Sequence, residues 1–207
     1  MNNEVFPMRK SISMLAAAVV LSAGLVPAAD ALTVSVVPQA SAVNSGDTVS
    51  VDVVVDFQGD SALSLGSYDL DLSFDSSVLS FGSLSFGTGL SVTGVPSFLQ
   101  EYHLGTGTLN ALEASWETTA DLIALQPDAF TLFTITFNAA QVGTSLLSLS
   151  VNSLGNAAGT ESLAAAVLGA PSISVTGAPA VPLPAAVWLL LSGLGVVRGL
   201  GRSHKSC

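Results

Sequence analysis

The sequence predicts an all-β fold, a single antiparallel sandwich of the jelly-roll type with about nine strands, set between two terminal segments of different character. Three observations predict it. Apolar and polar residues alternate over runs of about eight to ten positions, turn-forming residues separate these runs, and no long stretch repeats at helical spacing. An alternation with a period of two indicates strands that bury one face and expose the other.

Two runs show the alternation most clearly. In residues 48–57 the odd positions hold four valines and Phe57, and in residues 68–75 the even positions hold tyrosine, leucine and phenylalanine. Gly, Asn, Asp and Ser punctuate the runs, as in residues 44–47 and 87–89. Further strands are predicted at residues 33–37, 78–86, 108–116, 130–137, 145–151 and 172–176. The stretch 161–168 fits a helical turn or a strand, and we favour the strand.

The distribution of charge excludes whole classes of function. Residues 32–181 hold thirteen acidic side chains, no Lys or Arg, and one histidine, His103. Such a surface repels phosphate, which excludes nucleic acid as a partner and disfavours phosphate-bearing cofactors. The single cysteine, Cys207, leaves no intrachain disulfide, no thiolate metal cluster and no thiol nucleophile inside the domain. We therefore expect a protein that is not an enzyme.

The N-terminal segment, residues 1–31, has the pattern of a secretory signal peptide. Arg9 and Lys10 precede an apolar run over residues 12–26, and the small-x-small triplet 29–31 follows it. This order predicts export with cleavage after Ala31. A plain N-terminal membrane anchor is the alternative interpretation.

The C-terminal segment, residues 178–207, carries a second apolar stretch over 181–197, and a basic cluster follows it. Pro184 suits the first turn of a helix, and a helix over residues 184–200 is about 25 Å long, against about 30 Å for the hydrocarbon core of a bilayer. The basic end suits the cytoplasmic side of a transmembrane helix. A buried core helix is the alternative, and the basic cluster makes it less favourable.

The order of motifs in this segment resembles the VPLPA variant of the PEP-CTERM sorting signal. The matching positions are Val181, Pro182, Leu183, Pro184, Ala185, Trp188, Gly193, Arg198, Arg202 and Lys205. The resemblance implies processing by exosortase, a membrane-embedded cysteine transpeptidase of Gram-negative bacteria. It also implies anchoring in the inner membrane, followed by delivery to the cell surface or the extracellular matrix.

A second resemblance covers most of residues 32–177. Residues 36–49 resemble the opening of a cohesin-like module, and residues 67–79 resemble the cohesin pattern in which an aromatic-rich strand ends in Tyr-Asp-Pro-x-x-Leu. The positions that match this pattern are Phe74, Asp75 and Leu79, with Ser76 in place of proline. Physically, an aspartate in such a corner accepts a hydrogen bond from the backbone amide two residues on. The resemblance implies a jelly roll, related to carbohydrate-binding modules, that binds a protein partner (a dockerin) or a glycan and does not catalyse.

Three aspartates, Asp69, Asp71 and Asp75, are predicted to lie on the polar face of one region. Residues two apart on a strand are about 6.6 Å apart, near enough to share a cation, and calcium takes about six to eight oxygen ligands. The favoured alternative is a solvated strand face, because neither a complete EF-hand loop nor a Gly-Gly-x-Gly-x-Asp repeat is present. The same two interpretations apply to Asp47, Asp52, Asp56 and Asp60.

Aromatic residues supply the candidate contacts to a partner or a sugar. Tyr102 and His103 lie in a stretch that reads as a loop, and Trp116 is either such a contact or a core residue. Glu113 and Glu117 flank Trp116 and raise the possibility of a glycosidase, which needs two acids about 5 to 9 Å apart. No cleft-forming motif accompanies them, so this function ranks third.

The sequence thus predicts three parts: a signal peptide (1–31), a cohesin-like sandwich (32–177) and a sorting tail with a transmembrane helix (178–207). The predicted function is a non-catalytic exported surface or matrix protein that binds a protein partner or a polysaccharide. The alternative is a matrix protein whose acidic faces are bridged by calcium.

Overall fold

The structure, a computed structural model, describes residues 32–177, and the predicted signal and sorting segments lie outside this range. These residues form twelve strands and one short helix. Their bounds are β1 (Leu32–Pro38), β2 (Ala42–Asn44), β3 (Thr48–Asp56), β4 (Leu65–Ser73), β5 (Leu79–Phe86), β6 (Leu99–Gly105), β7 (Thr108–Ala114), α1 (Thr119–Leu125), β8 (Ala129–Ala139), β9 (Gly143–Leu146), β10 (Ser148–Asn156), β11 (Ala165–Leu168) and β12 (Ser172–Thr176).

The strands form a sandwich of two large sheets with a small third sheet. The five-stranded sheet has the order β11-β1-β3-β8-β5, and the four-stranded sheet has the order β10-β4-β7-β6. Strands β2, β12 and β9 form the third sheet. Most neighbours are antiparallel, but β11 runs parallel to β1 and β12 runs parallel to β2. The predicted all-β sandwich is confirmed, but it has twelve strands rather than about nine, and it is not wholly antiparallel.

The core lies between the two large sheets and consists of the apolar residues that alternate along their strands. Val49, Val51, Val53 and Val55 of β3 are buried, as are Tyr68, Leu70 and Leu72 of β4. Aromatic pairs join the sheets: Tyr68 stacks on Phe133 at 5.9 Å between ring centroids, and Phe74 meets Phe137 at 4.8 Å. The alternation predicts this core because one face of each strand packs against the other sheet while the opposite face is exposed to solvent.

Seven of the predicted strands coincide with observed strands to within three residues at each end. The stretch 161–168, for which the strand was favoured, contains β11. Two predictions about elements are wrong, and one helix was missed. Residues 145–151 belong to two strands, β9 and β10, because a chain crossing between sheets breaks the run at Leu147, which is fully buried. The stretch 99–105 is the edge strand β6 rather than a loop, and residues 119–125 form a helix that was not predicted.

The sandwich has two ends, or poles, that differ in their connections. At the α1 pole lie the β3–β4, β5–β6, β7–β8 and β10–β11 connections, and the chain enters there, since Thr33 pairs with Asp56 at the end of β3. At the opposite pole lie the β2–β3, β4–β5, β6–β7 and β8–β9 connections. The described chain leaves there, because Thr176 pairs with Asn44 beside the β2–β3 turn.

Candidate partner-binding face

The outer face of the four-stranded sheet is an uncovered, polar surface. Its central strands β4 and β7 alternate between buried residues and half-buried or exposed ones, and the register places the outward residues side by side. One row across the sheet consists of Ser150, Asp71, Asn110 and His103, in the order β10, β4, β7 and β6. The next row consists of Ser153, Asp69, Leu112 and Glu101.

Two aspartates and two asparagines form a hydrogen-bonded network at the centre of this face, which we call the Asp–Asn network (Asp69, Asp71, Asn110 and Asn152). The Asn110 Nδ2 donates to Asp69 Oδ1 at 2.6 Å and to Asp71 Oδ1 at 2.9 Å. The Asn152 Nδ2 donates to Asp69 Oδ1 at 3.1 Å and to Asp71 Oδ2 at 2.9 Å. The two amides therefore bridge two like charges on one strand and offset their repulsion.

A β-bulge brings Asn152 to this position. The register between β10 and β4 shifts between Val151 and Ser153, so Asn152 is the extra residue of the ladder. A bulge re-aims the side chain of its extra residue, and here that side chain reaches both aspartates. Sequence reasoning missed Asn152 because alternation alone does not show where a register shift occurs.

The inner face of the same sheet also holds a carboxylate, but a buried one. Glu113 is 2% exposed and lies directly between Tyr68 of β4 and Gln100 of β6 in the ladder. It accepts hydrogen bonds from the Tyr68 hydroxyl (2.9 Å), the Ser97 hydroxyl (2.7 Å) and the Gln100 side-chain amide (2.8 Å). These three donors satisfy the Glu113 carboxylate, so its role is to stabilise the fold.

The Tyr68 hydroxyl connects this carboxylate to the other sheet. It lies 2.9 Å from Glu113 Oε2 and 3.2 Å from the Leu132 carbonyl oxygen on β8. Burial, and then the negative charge of Glu113 and the hydrogen bond to it, raise the pKa of Tyr68 far above its usual range. Tyr68 therefore stays protonated and serves as a donor.

The two glutamates weighed as a glycosidase pair have separate roles in the structure. Glu113 is enclosed, as described, whereas the Glu117 carboxylate accepts hydrogen bonds from the backbone amide (2.8 Å) and the hydroxyl of Thr93. Glu117 thereby ties the β5–β6 connection to the β7–β8 connection. Both acids are occupied by contacts that stabilise the domain.

The structure separates Asp75 from Asp69 and Asp71, although all three were predicted to share one polar face. Asp75 lies beyond the end of β4, in the corner before β5, and its Oδ1 accepts hydrogen bonds from the Ser77 amide (2.9 Å) and hydroxyl (2.6 Å). The predicted corner bond to Asp75 is confirmed. The Ser77 hydroxyl and then its amide lower the pKa of Asp75. Within residues 32–177, no three acidic or histidine side chains come together in a way that would hold a metal ion.

Tyr102, His103 and Trp116 do not form one cluster. Register places His103 on the outer face, where its Nε2 lies 3.8 Å from Glu101 Oε2, and places Tyr102 on the inner side of β6, against Phe81 at 5.5 Å between ring centroids. Trp116 follows the end of β7 and is 65% exposed, so the interpretation of Trp116 as a core residue is wrong.

This β-sandwich has a cohesin-like fold, as comparison with solved structures shows. A cohesin from the archaeon Archaeoglobus fulgidus superposes with a TM-score of 0.52 at 17% identity, over 77% of this chain and 97% of its own. A cohesin from Clostridium acetobutylicum gives 0.54 at 21% identity, over 70% and 92%. The OlpA cohesin of Clostridium thermocellum, determined in a type I cohesin–dockerin complex, gives 0.54 at 15% identity, over 69% and 99%.

At these identities the likeness establishes the fold of the chain. Comparison with family models and with curated protein sequences found no match. The predicted sorting motif and transmembrane helix lie outside the described residues. Within residues 32–177, α1 is too short to cross a bilayer.

Proposed function

We propose that residues 32–177 are a non-catalytic binding module that recognises a protein partner through the outer face of the four-stranded sheet. The Asp–Asn network carries this proposal, because it fixes two carboxylates at the centre of an uncovered sheet face. The cohesin fold supports it, since one structure of similar fold is of a cohesin with its dockerin.

The chemistry of the face indicates the kind of partner. Its charged residues are Asp69, Asp71 and Glu101, with His103 beside them, and no Lys or Arg occurs in residues 32–177. A partner that brings lysine, arginine or amide donors would form charge-assisted hydrogen bonds with these carboxylates. Small serines surround the network on β4 and β10, which leaves the surface flat enough for a folded partner.

Export and sorting form the second part of the proposal. The signal-peptide pattern of residues 1–31 and the VPLPA-type tail support delivery across the inner membrane, temporary anchoring by the C-terminal helix, and processing by exosortase. The module would then act at the cell surface or in the extracellular matrix.

The test is capture from the organism's own surface material on the immobilised full-length protein, with calcium and again with chelator. The Asp69→Asn/Asp71→Asn double variant is compared with a matched Asp52→Asn control, since Asp52 lies on β3 of the other sheet and bonds Thr134. We expect one protein to be retained in both conditions by the wild type and by the control, and lost by the double variant.

The other outcomes overturn the proposal in different directions. Capture that disappears with chelator would instead favour an acidic matrix protein bridged by calcium. Retained polysaccharide would make the domain a carbohydrate-binding module. Hydrolysis of that polysaccharide, abolished by Glu113→Gln or Glu117→Gln, would establish a glycosidase.

A further inference from the structure

The α1 pole gathers exposed apolar side chains. Five large ones lie in its connections and are at least 41% exposed: Val95, Phe98, Trp116, Ile123 and Leu125. In the connections of the opposite pole, within residues 32–177, the exposed large apolar side chain is Val142. Five exposed apolar side chains in the connections of one pole favour an interaction surface over single scattered residues.

One of these side chains, Phe98, lines a groove, and Trp116 packs against Phe98. The rings of Phe98 and Trp116 meet edge to face at 5.6 Å, and the groove has a volume of about 320 Å³. The rest of its lining includes small residues, Gly66, Ala114, Ala157, Ala158 and Gly159. Gly66 lets the end of β10 and the β10–β11 connection approach, because a Cβ there would lie 2.7 Å from the Asn156 carbonyl oxygen and 2.9 Å from the Ala157 Cα.

Two further depressions lie beside α1, next to this groove. A cavity of about 140 Å³ lies between Ile123 and the β3–β4 connection, and one of about 560 Å³ lies beside Leu125 and Phe130. Exposed apolar side chains thus border successive depressions along one end of the sandwich. An extended segment of a partner would fit this arrangement better than a single small molecule would.

Carboxylates surround the same surface. The connections of the α1 pole contain five acidic residues, against two at the opposite pole, Asp47 and Asp75. The five are Asp60, Glu117, Asp121, Asp128 and Glu161. Glu117 lines the groove, Glu161 lines the cavity beside Ile123, and residues 32–177 supply no Lys or Arg to balance them.

We propose that the α1 pole is a second binding site, separate from the sheet face, for a partner segment that alternates apolar side chains with Lys or Arg. The apolar residues would cover Phe98, Trp116 and Ile123, and the cations would pair with the carboxylates around them. Anionic segments are repelled, and a second copy of this acidic domain is repelled for the same reason. A purely apolar segment would desolvate the carboxylates without a partner.

The path of the chain places this site away from the following segment. The described residues end at Gly177, directly after β12, whose last residue pairs with Asn44 at the opposite pole. The α1 pole therefore lies at the far end of the sandwich from the start of residues 178–207.

The test uses a short synthetic peptide of alternating leucine and lysine, with two matched peptides in which glutamate replaces lysine or serine replaces leucine. Calorimetry on the full chain measures each affinity. We expect the leucine–lysine peptide to bind and both matched peptides to bind about tenfold more weakly or not at all. Trp116→Ala should weaken binding about tenfold, and Glu161→Gln by a smaller factor.

Two controls make the result specific. Val142→Ala removes a side chain that is 66% exposed, against 65% for Trp116, at the opposite pole. Glu101→Gln removes a charge from the sheet face, so it also separates this proposal from the proposed function. Binding that is unchanged in Trp116→Ala, or weakened as much by Val142→Ala or Glu101→Gln, overturns the assignment, as does equal binding of the glutamate peptide.

Discussion

The two faces of the four-stranded sheet place carboxylates in different environments. On the inner face, Glu113 is 2% exposed and takes its hydrogen bonds from Tyr68, Ser97 and Gln100. On the outer face, Asp69 and Asp71 are half-buried and share two asparagine amides. Both networks span neighbouring strands, and both use neutral donors.

The difference lies in what surrounds the charge. The inner carboxylate is enclosed by its donors, so removing it leaves those buried donors without a hydrogen-bond acceptor. The outer carboxylates remain accessible to water, so removing them should cost less folding stability than removing Glu113. This sheet therefore encloses one acid on its inner face and leaves two acids accessible to solvent on its outer face.

The largest expected effect comes from breaking the inner network. Glu113→Ala should lower the free energy of unfolding by about 2–4 kcal/mol, because the Tyr68, Ser97 and Gln100 donors lose a buried acceptor. Urea denaturation measures the change. The matched Glu101→Ala variant, exposed on β6, should change it by less than about 0.5 kcal/mol. Similar losses of unfolding free energy in the two variants would show that the buried Glu113 contributes no more to stability than the exposed Glu101.

Breaking the outer network should have a smaller effect on folding. Asn110→Ala removes one of the two amides that bridge Asp69 and Asp71, and we expect a loss of about 1 kcal/mol, since water replaces the missing donor. Thr108→Ala, an exposed residue on the same strand, is the control and should be near neutral. A loss as large as that of Glu113→Ala would mean that the outer network is structural rather than open.

Salt should stabilise the domain by screening the repulsion among its exposed carboxylates. It should have no such effect on the buried Glu113. Residues 32–177 hold thirteen acids and no bases, so their mutual repulsion is screened as ionic strength rises. A gain of about 1 kcal/mol would raise the melting temperature by about 4 °C. Scanning calorimetry in sodium chloride, and in calcium chloride at equal ionic strength, tests this. A flat melting temperature in sodium chloride would contradict it, and a rise confined to calcium would indicate specific ion binding.

The smallest effect concerns Asp75, an exposed carboxylate outside both faces. The Ser77 hydroxyl lowers the pKa of Asp75, so Ser77→Ala should raise that pKa toward its ordinary value, as measured by NMR titration. Because the folded pKa lies below the unfolded one, this bond stabilises the fold above the unfolded pKa and is lost as the pH falls through the folded pKa. Ser76→Ala is the control; an equal shift in both variants would refute the role of Ser77.

The fold was largely predictable because most strands bury one face and therefore alternate. Strand β6 was missed because it is an edge strand in which six of seven residues are exposed, so no period marks it. Helix α1 has two turns, too few for a periodic pattern. Its cap was nevertheless visible, since the Thr118 hydroxyl accepts from the Asp121 amide in a Ser/Thr-x-x-Asp/Glu motif.

Only part of the candidate site could be predicted from the sequence. Asp69 and Asp71 follow from strand spacing, and the corner bond of Asp75 follows from turn chemistry. Their amide partners come from β7 and from a bulge in β10, and pairing across a sheet is a long-range property that no local pattern contains. The same holds for Trp116, which lies beside Phe98 rather than in the core because β7 ends at Ala114.

The two parallel pairings have a mechanical consequence. Strands β11 and β12 run alongside β1 and β2 in the same direction, with four and three paired residues. The chain enters at the α1 pole and leaves at the opposite pole, so a force applied through its two ends slides these strands past one another. Such a load acts on the hydrogen bonds of both ladders together rather than opening them one at a time. Pulled through its two chain ends, the domain should therefore resist tension directed from one pole to the other.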